Sequence, residues 1–272
     1  MPQIINTNIS SLNAQRNLDT SQGALFISLQ RLSSGLRINS SKDDAAGLAV
    51  AEKMNAQARS MTVAMRNAND GISLVQTAEA GMNVISGHLQ RMRELAIQAA
   101  SGQWDSDNRH ALDIEYQELA SEIDRVISAT NFNGRTLLDG TFSGGVIFQI
   151  GATSTEDSQV AVSIAQLTVS FGAISGSTGD IARGQLSALD AQIDLINNNR
   201  ASLGAVQGRF EGIIAQLASA RESTTAARSR IMDADYAAET AALSRAQVLQ
   251  QAGVAMLAQA NALPQNVLTL IR

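Results

Sequence analysis

"QVLQQAGVAMLAQANALPQNVLTLIR", Gln247–Arg272, closes the 272-residue chain, and its reading decides the fold. No ionised residue occurs between Ala246 and Ile271. A membrane-spanning helix needs about 20 predominantly apolar residues. Here Gln247, Gln250, Gln251, Gln259, Asn261, Gln265 and Asn266 interrupt the apolar text, with Pro264 among them, so bilayer insertion is disfavoured. What remains is a stripe: Leu249, Met256, Leu263, Val267 and Leu270 recur at heptad-like spacing, Gly253 and Ala260 fill small positions, and amides stand opposite. Such a helix must bury its apolar side against protein.

The amino terminus mirrors it. Ile5, Ile9 and Leu12, then Leu18, Leu25, Leu29 and Leu32, set a second stripe in which Arg16, Asp19 and Arg31 are the only charges before Arg37. Two charge-poor helical arms therefore stand at opposite ends of the chain. The economical arrangement pairs them with each other and with copies of themselves.

Between the arms the text changes. "SSGLRINSSKDDAAG" (33–47) breaks the first arm, offering Ser40 or Ser41 as an N-cap with Asp43 and Asp44 in the first turn of the next helix, where the helix dipole favours anions. Periodic residues then run from Ala58 through Met61, Met65, Ala68, Ile72, Val75, Met82 and Leu89 to Ala96, with Glu79 and Ser86 as misfits. A helix from about residue 44 to 100 would be roughly 85 Å long. Only a bundle or coiled coil supports that length. A second helix, about 105–129, carries Leu112, Tyr116, Leu119, Ile123 and Val126, capped by Asp105 or Ser106, and ends at the turn signal Asn133-Gly134. "VIFQI" (146–150) and "VAVSI" (160–164) switch to strand periodicity and predict a hairpin in a region of about 138–170. After a Gly/Ser loop, helical text resumes over about 185–230 with Leu186, Leu189, Ile193, Ile196, Leu203, Phe210, Ile214 and Leu217. The predicted fold is mainly α: a long antiparallel helical bundle or coiled coil with one short β-hairpin region mid-chain.

Composition excludes more than it suggests. The net charge of −5 gives no footprint for nucleic acid or an anionic membrane. Absence of cysteine removes disulfides, thiolate sites and Cys nucleophiles. His88 and His110 stand alone, and neither a phosphate-binding glycine loop nor a nucleophile elbow occurs, so the chain reads as no enzyme, without cofactor or metal. "MPQIINTNISSL" lacks the features of a cleaved signal peptide. Met54, Met61, Met65, Met82 and Met92 suit core packing. Gly47, Gly71, Gly81 and Gly87 lie inside predicted helix, each costing about 1 kcal/mol against alanine. They read either as close helix approaches or as points that ease shifts between alternative packings.

Several long stretches, in order, resemble bacterial flagellin: "INTNISSLNAQRNL", "LQRLSSGLRINSSKDDAAGLAVAEKM", "RNANDGISLVQTAEAGMN", "LQRMRELAIQAASG", "EIDRVISATNFNGRTLLDG", and "SRIMDADYAAETAALSRAQVLQQAGVAMLAQANALPQNVLTLIR". They cover most of 1–140 and 185–272. The resemblance implies a structural subunit of the flagellar filament, exported unfolded and self-assembling into a helical tubular propeller. It implies an inner-tube pair of terminal helices over 1–42 and 235–272, a rod over 43–234, and no outer domain. Ile5, Ile9, Leu12, Leu25, Leu29, Leu32, Leu249, Met256, Leu263, Val267 and Leu270 are the expected inner-tube assembly contacts. The implied partners are copies of the chain, the flagellar type III export apparatus, a cytoplasmic export chaperone and a filament cap protein, with an extracellular location in the filament. Residue by residue, Arg91, Leu95 and Glu115 match positions that contact host Toll-like receptor 5 in flagellins. A solvated or axial-contact rod face is the plainer account of the same residues. Ser and Thr in 141–178 suit O-linked sugars or a polar loop equally. The competing assignments are a hook–filament junction protein, another type III export substrate, or a signalling coiled coil.

Overall fold

The computed structural model describes residues 7–151, 155–168 and 171–269, with the side chains of Glu156 and of residues 263–269 outside that description. Five α-helices account for most of the chain: α1 (Ile9–Ser34), α2 (Ala45–Ala99), α3 (Ser106–Ala129), α4 (Asp180–Met232) and α5 (Tyr236–Thr269). Two antiparallel hairpins interrupt them, β1 (Asn131–Phe132) with β2 (Arg135–Thr136), and β3 (Val146–Gln149) with β4 (Gln159–Val162). The chain is mainly α, as periodicity predicted. It divides into two compact units, one of residues 57–221 and one of residues 1–56 with 222–272.

In the 57–221 unit, burial follows heptads. On α2 the fully buried series is Ala68, Val75, Ala78, Met82, Ile85, Leu89, Met92, Ala96 and Ala99, and α4 answers every seventh residue with Ala182, Leu189, Ile196, Leu203 and Phe210. Helix α3 adds Tyr116, Ile123, Val126 and Ile127. The two misfits on α2 are accommodated differently. Ser86 is buried, whereas Glu79 is half-buried and lies 3.8 Å from Arg200 on α4. Val160, Val162 and Ile164 cover the same core from the second hairpin. Phe148 meets Phe210 edge to face, with ring centroids 5.7 Å apart.

The turn signal at Asn133-Gly134 is itself a hairpin. Asn133 has φ +50° and Gly134 φ +76°, the left-handed pair a two-residue turn with matching twist requires.

In the other unit, α1 and α5 run antiparallel. Asn8 Nδ2 donates to the Ala260 carbonyl (2.8 Å), Ser11 Oγ meets Asn261 Oδ1 (2.8 Å), and at the far end Tyr236 donates its hydroxyl to the Leu32 carbonyl (2.8 Å). Gly35, at φ +70°, ends α1 in a left-handed cap. The breaks after α1 and α4 zip together. Arg37 N–H donates to Met232 O, Ala234 N–H to Gly35 O, and the Arg37 guanidinium grips Ile231 O at 2.6 Å. Ile38, Ala51 and Met232 fill a small core beside that seam.

One expectation is corrected here. Helix α2 begins at Ala45, so Ser40 and Ser41 are not its cap and Asp43 and Asp44 precede its first turn. Asp44 Oδ1 accepts the Gly47 N–H at 2.8 Å, satisfying a donor that the first turn leaves free. Asp43 instead closes the preceding loop, accepting from Asn39 N–H, Ser40 N–H and Ser40 Oγ. The Ser40 amide first, then that of Asn39, holds its carboxyl below the ordinary range.

Candidate assembly surfaces

Burial along α1 recurs at Ser11, Ala14, Leu18, Ser21, Leu25, Ser28 and Leu32, alternating steps of three and four. Along α5 it recurs at Glu239, Leu243, Ala246, Gln250, Gly253, Leu257 and Ala260, with the same steps. The seam between the arms is therefore built largely of small and polar residues. A Cβ at Gly253 would sit 3.3 Å from Leu18 Cδ1, so the backbone approaches closely there. The Ser21 hydroxyl donates to Leu18 O at 2.8 Å, within its own helix. One ion pair, Arg31–Glu239 at 3.6 Å, sits where the arms are only partly exposed.

Leucines occupy part of the seam, but many larger apolar side chains face out. Ile9, Leu12, Phe26, Ile27 and Leu29 on α1, and Val248, Leu249, Val254 and Met256 on α5, are exposed, Met256 by 64%. The stripe read from sequence thus divides. Leu25 and Leu32 lie in the seam, while Ile9, Leu12, Leu29, Leu249 and Met256 cover the outside of the pair. Ile5 and Leu270 lie outside the described residues, as do the side chains of Leu263 and Val267.

On the 57–221 unit, Arg91 bridges two helices. Its Nε and Nη2 reach Glu115 at 2.8 Å and its Nη1 reaches Glu94 at 3.1 Å. Glu115 first, then Glu94, raises the guanidinium further above its ordinary value. Both Arg91 and Glu115 are about half exposed. Leu95 is different: at 1% exposure it belongs to the core with Met92 and Ala96. The resemblance placed it on a contact surface, but its position one turn before the buried Ala99 turns it inward. Arg93 pairs with Asp190 on α4 at 2.6 Å.

Two charged residues that sequence reading passed over are buried. Arg109, 3% exposed, donates to the carbonyls of Ala99 (2.9 Å), Ser177 (3.0 Å), Ser101 (3.2 Å) and Gly176 (3.4 Å). Asp113, one turn on, accepts from Ile174 N–H (2.7 Å) and Ser175 Oγ (3.0 Å). Together they hold the Gly/Ser loop to α3, supplying partners that its irregular backbone cannot supply for itself. Beside them, the Tyr116 hydroxyl is buried with no partner among the described residues. Burial, then the Asp113 charge, pushes it up to about 12. Among the described residues no group of His, Asp and Glu could hold a metal ion, and no helix is long and apolar enough to cross a membrane.

The matched regions fall on these same helices. The bacterial flagellin N-terminal helical region matches residues 5–143, and the bacterial flagellin C-terminal helical region matches 186–271. The chain belongs to the flagellin family. A flagellin of Halalkalibacterium halodurans is 42% identical over 99% of this chain and 100% of its own length. A flagellin of Bacillus subtilis is 39% identical over 98% and 99%. The crystal structure of Bacillus cereus flagellin is similar over 56% of this chain and 88% of its own, with a TM-score of 0.50 and 30% identity. This is a short-form flagellin, with only residues 144–185 between the two matched regions. Flagellin is a structural protein, the subunit of the flagellar filament.

Proposed function

We propose that this flagellin polymerises through its terminal arms, each arm pair seating its outer apolar face against other copies in a helical tube. The observation that carries the reading is the division of the arms: small, hydroxyl-rich seam inside, Ile9, Leu12, Phe26, Leu29, Val248, Leu249 and Met256 outside. Helices that leave this many large apolar side chains exposed gain stability when neighbours cover them, and other copies supply that cover. On this reading residues 1–42 with 235–272 form the inner tube, and 43–234 the rod around it. The unfolded chain crosses a type III export channel, a chaperone shields the carboxyl-terminal arm beforehand, and subunits add beneath a cap outside the cell. Lack of charge in the closing arm suits that route, because no ion is stranded when the arm is buried.

Seeded polymerisation followed by electron microscopy tests this. Gln251 and Gln259 are exposed on α5. Changing both to Glu places charges on the face to be buried and should stop growth while leaving the 57–221 unit folded. Ordinary filaments from that variant would refute the proposal.

A second reading concerns Arg91 and Glu115, whose half-exposed ion pair supports the receptor contact implied by resemblance. A Toll-like receptor 5 reporter assay on the monomer of Arg91→Ala decides it. Unchanged signal removes this reading.

A further inference from the structure

Asn133-Gly134 is the only Asn-Gly pair in the sequence, and it forms the tip of the β1–β2 hairpin with both residues exposed. An asparagine before glycine is open to attack on itself. The next backbone nitrogen lies close to the side-chain amide carbon, and glycine has no Cβ to obstruct the approach. Reaction then depends on whether the two groups are free. At this tip both are: the Asn133 side-chain amide and the Gly134 N–H have no hydrogen-bond partner among the described residues. Each strand is two residues long, so the tip opens locally at little cost and lets the Asn133 backbone rotate towards attack.

Comparable pairs elsewhere are engaged. In Asn39-Ser40, Asn39 Nδ2 donates to Leu36 O at 2.9 Å and the Ser40 N–H donates to Asp43 Oδ2 at 2.9 Å. Asp139, which precedes Gly140, accepts the Thr141 N–H at 2.9 Å. Hydrogen bonds from the Thr141 side chain, then its amide, hold that carboxyl below the ordinary range, and an ionised carboxylate resists nucleophiles.

We propose that the Asn133-Gly134 tip is a self-modification site, deamidating through a cyclic imide. Gly134 N gives up its proton and bonds to Asn133 Cγ, the Cγ–Nδ2 bond breaks, and ammonia leaves carrying that proton. Water then opens the five-membered ring. Cleavage at Cγ leaves an aspartyl linkage at position 133, and cleavage at the backbone carbonyl carbon leaves an isoaspartyl linkage. Either product adds a negative charge to a chain already at −5. The isoaspartyl form also lengthens the backbone by one carbon in a turn that sets the pairing of Asn131 with Thr136 and Phe132 with Arg135. It therefore loosens the hairpin and the adjoining bond from Leu137 N–H to Thr130 O (3.0 Å). None of this depends on the filament reading.

Incubation of the full chain in mildly alkaline buffer, followed by peptide mapping with mass spectrometry, tests the site. Amide loss at Asn133 should run several-fold ahead of loss at Asn39 and yield both isoaspartyl and aspartyl products. Asn133 surviving as long as Asn39, or giving no isoaspartyl product, overturns the proposal. Asn133→Gln has to close a larger ring and should abolish the early release of ammonia; release at the wild-type rate also overturns it. Hydrogen exchange separates charge from backbone length: the Leu137 amide should stay protected in Asn133→Asp and lose protection in the isoaspartyl chain. Equal protection in the two overturns the effect on the hairpin.

Discussion

The Phe210 ring lies directly over Gly71, so close that a Cβ at position 71 would come within 2.7 Å of its Cζ atom. Glycine here is a packing requirement. Gly71→Ala gains about 1 kcal/mol of helix propensity but forces the ring out of its edge contact with Phe148, at about 1–3 kcal/mol. A net loss in urea unfolding is expected. At Gly87 a Cβ meets nothing within 4 Å, and Gly87→Ala should stabilise by up to about 1 kcal/mol. Equal effects at the two sites would contradict the packing account.

Arg109 and Asp113 should behave as buried pins. Truncating either to Ala leaves enclosed carbonyls or the Ile174 amide without a partner, at about 2–3 kcal/mol each. Hydrogen exchange checks the mechanism independently: the Ile174 amide should lose protection in Asp113→Ala even where the helices stay formed.

The Tyr116 hydroxyl makes stability depend on alkaline pH. Folding raises this group to about 12, whereas an unfolded tyrosine ionises near 10. A raised value means the folded state keeps its proton longer. Stability is complete below about pH 10 and falls between 10 and 12 as the unfolded chain alone gives up its proton. Tyr116→Phe should flatten that decline and cost little at pH 7, since the hydroxyl has no partner to lose. Denaturant midpoints across pH 8–12 measure both.

Leu95 and Arg91 separate folding from recognition. Leu95→Ala opens the core and should cost about 2–5 kcal/mol. Arg91→Ala removes an exposed ion pair and should leave the unfolding midpoint close to that of the wild type. Thermal unfolding of both variants therefore has to accompany any receptor assay. A loss of signal in L95A alone reports instability.

The helices were legible because apolar residues mark them every three or four positions for tens of residues. Less legible was which stripe faces which neighbour. Large apolar residues drew the eye on both arms, yet only some of them, such as Leu25 and Leu32, lie in the seam, where Ser21, Ser28, Ala246 and Gly253 stand among them and permit close approach. A sequence shows two stripes without saying which one meets another molecule. Arg109 and Asp113 were missed because charges on a helix usually face water. A signal was present: together with Tyr116, Ile123 and Ile127 they continue one buried stripe of α3, opposite a Gly/Ser loop with no secondary structure to satisfy its backbone. The cap of α2 was misplaced by a few residues, since two serines and two aspartates in succession offer several equivalent starts.

The clasp between the arms joins leucines to serines and a bare glycine, and leaves a second apolar face turned outward. On the assembly reading proposed above, part of the energy that locks a newcomer into a growing fibre would come from strangers rather than from its own other end. Peeling a terminal subunit away would loosen both of its tails at once, and detachment and melting would register as one event.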